Sequence, residues 1–148
     1  MITASLQSIF SRDLQKLKSE VEAYSSESNL WLVEENISNS TGNLTLHLIG
    51  NLNHFVGTVL GNTGYIRKRE EEFTDKNVLR SELIPKIEAT EKMVTEVLST
   101  LKKEDLERDF PVNVFGQAMN TEYFLIHLTT HLSYHLGQIN YHRRLLDK

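Results

Sequence analysis

Apolar residues return every three to four positions along most of this chain, the period of a helix that buries one face. At the start, Leu6, Ile9, Phe10, Leu14, Leu17, Val21 and Tyr24 carry that period, and Arg12, Asp13, Lys16, Lys18 and Glu20 take the other side. The run Ser25-Ser26-Glu27-Ser28-Asn29 ends this element. Leu30-Trp31-Leu32-Val33 is a short apolar patch with no evident strand partner, read as a cap on one end of the core. A polar turn over residues 37–43 precedes a second helix from about Asn43 to Leu60, with Leu44, Leu48, Leu52, Phe55 and Val59 on its inner face. Gly50 and Gly57 admit a close neighbour at some cost in helix propensity.

Gly61-Asn62-Thr63-Gly64 breaks that helix. Tyr65 to Asp75 is dense in charge and reads as a solvated connection of mixed-sign pairs. A third helix starts at about Asn77 or Ser81 and runs to Leu101 on Leu83, Ile87, Val94, Val97 and Leu98, with Pro85 in its first turn or kinking it. Residues 107–116 are extended; the alternation of Phe110, Val112 and Val114 predicts a strand-like segment or a loop lid that turns at Gly116. Asn120 then caps a fourth helix, with Glu122 in its first turn, that continues to about Leu146. Four amphipathic helices of about 20 residues predict an all-α four-helix bundle, one domain over residues 1–148.

Composition narrows the function. A net charge of −4 gives no basic footprint for nucleic acid. No stretch reaches the length of a membrane span, and the first residues lack the charged and apolar regions of a signal peptide, so a cytoplasmic location is expected. The chain has no cysteine, which removes disulfides, thiolate ligands and a cysteine nucleophile.

What remains is a histidine pattern. His127, His131 and His135 recur at four-residue intervals, and with Gln138 and His142 they fall within an arc of roughly 80° on a helical wheel. Leu125, Leu128, Leu132, Leu136, Ile139 and Leu146 fill the adjoining arc, so the imidazoles flank the face that is to be buried. Buried nitrogens need partners. Two imidazoles at i and i+4 are a metal-chelating pair, and a facing helix supplies a third at His47. The plain alternative for each ring is a hydrogen bond to backbone or to another side chain. Three neutral imidazoles suit zinc first, with nickel or ferrous iron also accepted, and three protein ligands leave a coordination position open. Asn51 and Gln138 stand one turn from His47 and His135; they can brace the ligating rings, orient a bound cofactor molecule, or satisfy backbone. His54 lies about 10 Å along the axis from His47, so the two do not share an ion. His54 ranks second to His47 as third ligand; His127 can substitute for His135 or line a pocket. His142 is placed at the surface or a dimer edge. Phe55, Phe124, Tyr134 and Tyr141 lie near the histidine flank, as pocket lining or as core.

The order of Leu46-His47-Leu48-Ile49-Gly50-Asn51, then His131-Leu132-Ser133-Tyr134-His135-Leu136-Gly137-Gln138-Ile139, resembles the DinB/YfiT-like metalloenzyme superfamily. The resemblance covers nearly the whole chain, and His-x-x-x-His-x-Gly-Gln is its most specific part. It implies a bundle of up-down-down-up topology, commonly a homodimer, with a divalent metal on three histidines that fall here on His47, His131 and His135. It also implies thiol-dependent transferases and isomerases acting on small molecules with low-molecular-weight thiols such as bacillithiol or mycothiol. His54 and His127 are surplus to that pattern.

A zinc-type site activates water or holds a thiol as thiolate. Hydrolysis wants a carboxylate base beside the metal, and no Asp or Glu lies on the histidine faces of the second or fourth helix. Thiol transfer is therefore favoured over hydrolysis, unless Glu20 or Glu122 reaches the site from elsewhere. A bundle that binds metal without catalysis, or only dimerises, is the competing class.

Overall fold

The computed structural model describes residues 1–148, and the fold is all-helical. Helix α1 spans Ile2–Ala23, α2 Thr41–Leu52, α3 Arg69–Thr74, α4 Arg80–Thr100, α5 Lys103–Glu107 and α6 Thr121–Leu146. α1 packs against α4 and α6, and α2 packs against the same two. Their inner faces share one cluster of 25 buried apolar residues, including Phe10, Leu14, Leu48, Leu52, Ile87, Leu128 and Leu132. No helix is long and apolar enough to cross a membrane.

The periodicity of α1 is realised as expected except at Ile9, which is only partly covered, and at Asp13. Asp13, predicted on the solvated side, is buried and takes the guanidinium of Arg12 at 2.8 Å. After a 3₁₀ turn over Glu27–Trp31, Leu30 is sealed into the core while Leu32 and Val33 remain exposed, so only half of that patch caps anything.

α2 continues without a break into a π-helical segment, Asn53–Leu60. The wider turn changes the register of the buried stripe. Val56, four residues after Leu52, is fully buried in place of the predicted Phe55 and Val59, which are only partly covered. Pro85 lies in the second turn of α4, beyond the first turn where its missing N–H costs nothing. The 107–116 link holds a single antiparallel bridge, Asp109 to Asn120, closed by Phe110 N–H to Met119 C=O and Thr121 N–H to Arg108 C=O, each 2.8 Å. Gly116 supplies the turn with φ of 77°. Asn120 caps α6 as predicted, its Oδ1 accepting from the Tyr123 N–H at 2.8 Å.

Candidate metal centre

His47 is on the inner side of α2 and is buried; His131 and His135 are on α6 and half-buried. The packing of α2 on α6 brings one ligand nitrogen of each within 4.8 Å of the others, so the trio could hold a metal ion. The Nε2 atoms of His47 and His131 face each other at 3.1 Å. Ring centroids lie 4.6 Å apart for His131 and His135, 5.0 Å for His47 and His131, and 5.3 Å for His47 and His135.

Two of the three rings are tied by their outer nitrogen. His135 Nδ1–H donates to Gln138 Oε1 at 2.7 Å, one turn on. His47 Nδ1 lies 3.0 Å from Glu72 Oε1. A carboxylate accepts and does not donate, so His47 carries its proton on Nδ1 and turns a bare Nε2 lone pair toward His131. His131 Nδ1 is buried with no partner, as is Oδ1 of Asn51, one turn from His47 on α2. Imidazole nitrogens converging from two helices match the donor set of a borderline-soft divalent cation.

Burial keeps two of these rings, His131 and His135, in the neutral form. Burial pushes the His131 imidazole down to about 3, and a proton there would also be opposed by any positive charge on His135, His47 and His127 and by that of Arg67. His135 is also lowered, by burial first, with the Gln138 bond opposing the shift. Neutral imidazole is the form that ligates.

Glu72 and Arg67, which their charge-dense stretch predicts to be a solvated connection, instead pack against His47. Glu72 is 6% exposed, and Arg67 grips it with a fork, Nε to Oε2 at 2.9 Å and Nη2 to Oε1 at 3.0 Å. Burial alone would raise the Glu72 carboxyl, but the bonds from His47 and Arg67 outweigh it and hold the group below its ordinary value. The segment is drawn in by Asn43 in the first turn of α2, whose Nδ2 donates to the carbonyls of Glu72 (3.0 Å) and Asp75 (2.8 Å). Phe73 then lays its ring 4.9 Å from that of His47.

The other histidines separate from the trio. His54 packs on Phe55 at 4.8 Å, outside the group. His127 stands 6.5 Å from His131, centroid to centroid, and lines a cavity of about 380 Å³ with Phe115, Gln117, Met119 and Tyr123. His142 is not at the surface. It is buried, donating from Nε2 to the Leu32 carbonyl at 2.8 Å and accepting at Nδ1 from the Tyr24 hydroxyl at 2.7 Å. Tyr134 and Tyr141 are largely exposed, whereas Phe55 and Phe124 pack together at 5.1 Å. Glu20 is engaged by Asn140 and Arg143, and Glu122 is not buried.

Residues 4–148 match the family described as protein of unknown function DUF1572. The chain belongs to this family. No curated protein matches it. The match runs from the first turn of α1 to the last residue, so α2, the charged segment and α6, which together build the centre, all lie within the family's extent.

Proposed function

We propose that the chain is a divalent-metal-dependent enzyme of the DinB/YfiT-like kind, a four-helix bundle of up-down-down-up topology that transfers a low-molecular-weight thiol to a small electrophile. His47, His131 and His135 would hold the ion, zinc first, nickel or iron accepted. The observation that carries this reading is the convergence of their nitrogens within 4.8 Å from two separate helices. A divalent ion bound there supplies Lewis acidity, lowering the pKa of a thiol or water that reaches its open position.

The chain's own residues favour thiol over water. Activation of water is helped by a free carboxylate, and the carboxylate nearest the trio, Glu72, sits behind His47 with both oxygens engaged. Gln138 and Asn51 accept or donate hydrogen bonds but do not take up a proton near neutral pH. The chain has no cysteine, so the sulfur must arrive on a free thiol. In the overall step the thiol sulfur forms a bond to an electrophilic carbon. The leaving group departs with its bonding pair and ends with the thiol proton.

The cavity beside His127 suits the uncharged part of the electrophile. Its lining is Phe115, Met119, Tyr123, Gln117 and His127, with no charged side chain except a histidine whose pKa burial lowers. The outer side of α6 exposes Tyr123, Ile126, Tyr134, Tyr141 and Leu145 within an arc of about 100°, which supports assembly as a homodimer. A cytoplasmic location fits the reduced thiols that the reaction consumes. Sedimentation should find two chains, and a monomer would remove the dimer.

The test is an assay of zinc- or nickel-loaded protein with an activated aryl halide and a panel of small thiols. Thioether formation that needs both metal and thiol is expected. Robust ester or amide hydrolysis indifferent to thiol would reverse the assignment. A folded, metal-loaded protein inert in both assays would favour the non-catalytic bundle.

A further inference from the structure

The charged run at residues 67–72 looks like surface, yet two of its side chains end beneath His47. Glu72 is held from three directions: the Arg67 fork, the His47 Nδ1 contact, and the seat at Gly50. A β-carbon built on Gly50 would stand 1.8 Å from Glu72 Oε2 and 2.5 Å from its carboxyl carbon. No side chain fits there, so this glycine of α2 is the opening through which a carboxylate from another element reaches the back of His47. A helix-interior glycine lowers helix propensity relative to alanine, and here the vacant β-position is filled by one functional group.

We propose that Glu72 is a positioning residue for the metal centre. Seated on Gly50 and clamped by Arg67, it fixes the Nδ1–H tautomer of His47, aims Nε2 at the ion, and places one negative charge behind three neutral ligands. The inference rests on the three-histidine reading above. Arg67 Nη2 also comes within 3.4 Å of His47 Nδ1. Guanidinium has no acceptor and stays protonated, so this contact cannot take the imidazole proton. Glu72 Oε1, at 3.0 Å, is the acceptor. Arg67 also caps Phe55, its guanidinium carbon 5.8 Å from the ring centroid, which keeps the fork from swinging away. Asn43 holds the backbone of Glu72 itself. Every part of the arrangement fixes direction rather than adding a ligand, which is the role that carboxylate–histidine–metal arrays play.

Three variants test it: Glu72→Gln, which keeps an acceptor and loses the charge; Glu72→Ala, which loses both; and Gly50→Ala, which leaves the carboxylate in the chain but closes its seat. Zinc affinity is measured by competition with a chromophoric chelator. The tautomer of His47 is read from imidazole ¹⁵N shifts in metal-free protein. The expected wild-type tautomer is Nδ1–H. Glu72→Ala and Gly50→Ala should bind zinc about 10–100-fold more weakly and show a mixed tautomer, while Glu72→Gln should keep the tautomer and lose less affinity. Wild-type affinity and tautomer in a folded Glu72→Ala or Gly50→Ala protein would overturn the proposal and leave the three-histidine site standing. A wild-type His47 protonated on Nε2 would overturn it without reference to metal. If wild-type protein takes up no zinc while His47 shows the Nδ1–H tautomer, the three-histidine reading fails and takes the positioning role with it, although the Glu72 bond itself stands.

Discussion

The six histidines divide by what their nitrogens touch. His142 is satisfied at both ends, in a chain from Thr41 Oγ1 through the Tyr24 hydroxyl (2.6 Å) to its Nδ1, and from its Nε2 to Leu32. Burial pushes the Tyr24 phenol up to about 12, so the hydroxyl keeps its proton for His142. Replacing Tyr24 with Phe strands a buried imidazole nitrogen and the Thr41 hydroxyl. Urea denaturation should show a loss of about 1–3 kcal/mol, and unchanged stability would mean that the network carries nothing. Spacing alone could not separate His142 from His131 and His135, because all lie within the same arc of α6. What distinguishes them is a tyrosine more than a hundred residues away and a loop carbonyl. Glu72 was equally illegible. In Arg67-Lys68-Arg69-Glu70-Glu71-Glu72 nothing marks the last glutamate from its neighbours; only the Gly50 seat and the Asn43 clamp select it.

At the level of elements, periodicity recovers the four long helices within a few residues and the Asn120 cap to the residue. It misses what is set by backbone geometry or by a distant partner. A π-helical stretch leaves no periodic mark as short as Asn53–Leu60, and its effect is to bury Val56 instead of Phe55. The far end of α6 shows a second case. Asp147, just past the last turn, accepts from the N–H of Ser25 at 2.7 Å, from the Ser25 hydroxyl and Asn29 amide at 2.9 Å each, and from the Ser26 N–H, tying α6 to the segment after α1. These bonds, the Ser25 N–H first, hold its carboxyl down to about 2, against an ordinary value of 3.8. The folded state thus binds the proton less readily than the unfolded chain, and the unfolded state holds more protons across that window. The contribution is full above the unfolded value and is lost as pH falls from 3.8 through about 2. Thermal melts of Asp147→Asn should be less pH-dependent over that range than those of wild type, and parallel profiles would refute the tie.

On the scale of the molecule, α2 and α6 are brought together by a leucine-rich core, and the three-histidine group draws its members from both helices. The His131 and His135 pair was readable because four-residue spacing is a local property of one helix. His47 was readable because it edges the apolar stripe of α2. Their meeting is a property of how two helices pair, which the period of either helix alone does not fix. Glu72 brings a carboxylate against His47, and Arg67 and His47 engage both of its oxygens. The most direct test is a crystal of zinc-soaked, tag-free protein with diffraction collected above and below the zinc edge. One anomalous peak per chain is expected, about 2.0–2.1 Å from a nitrogen of each of His47, His131 and His135. A peak held by other residues, or none at all with the three rings hydrogen-bonded to one another and to water, would contradict the three-histidine site.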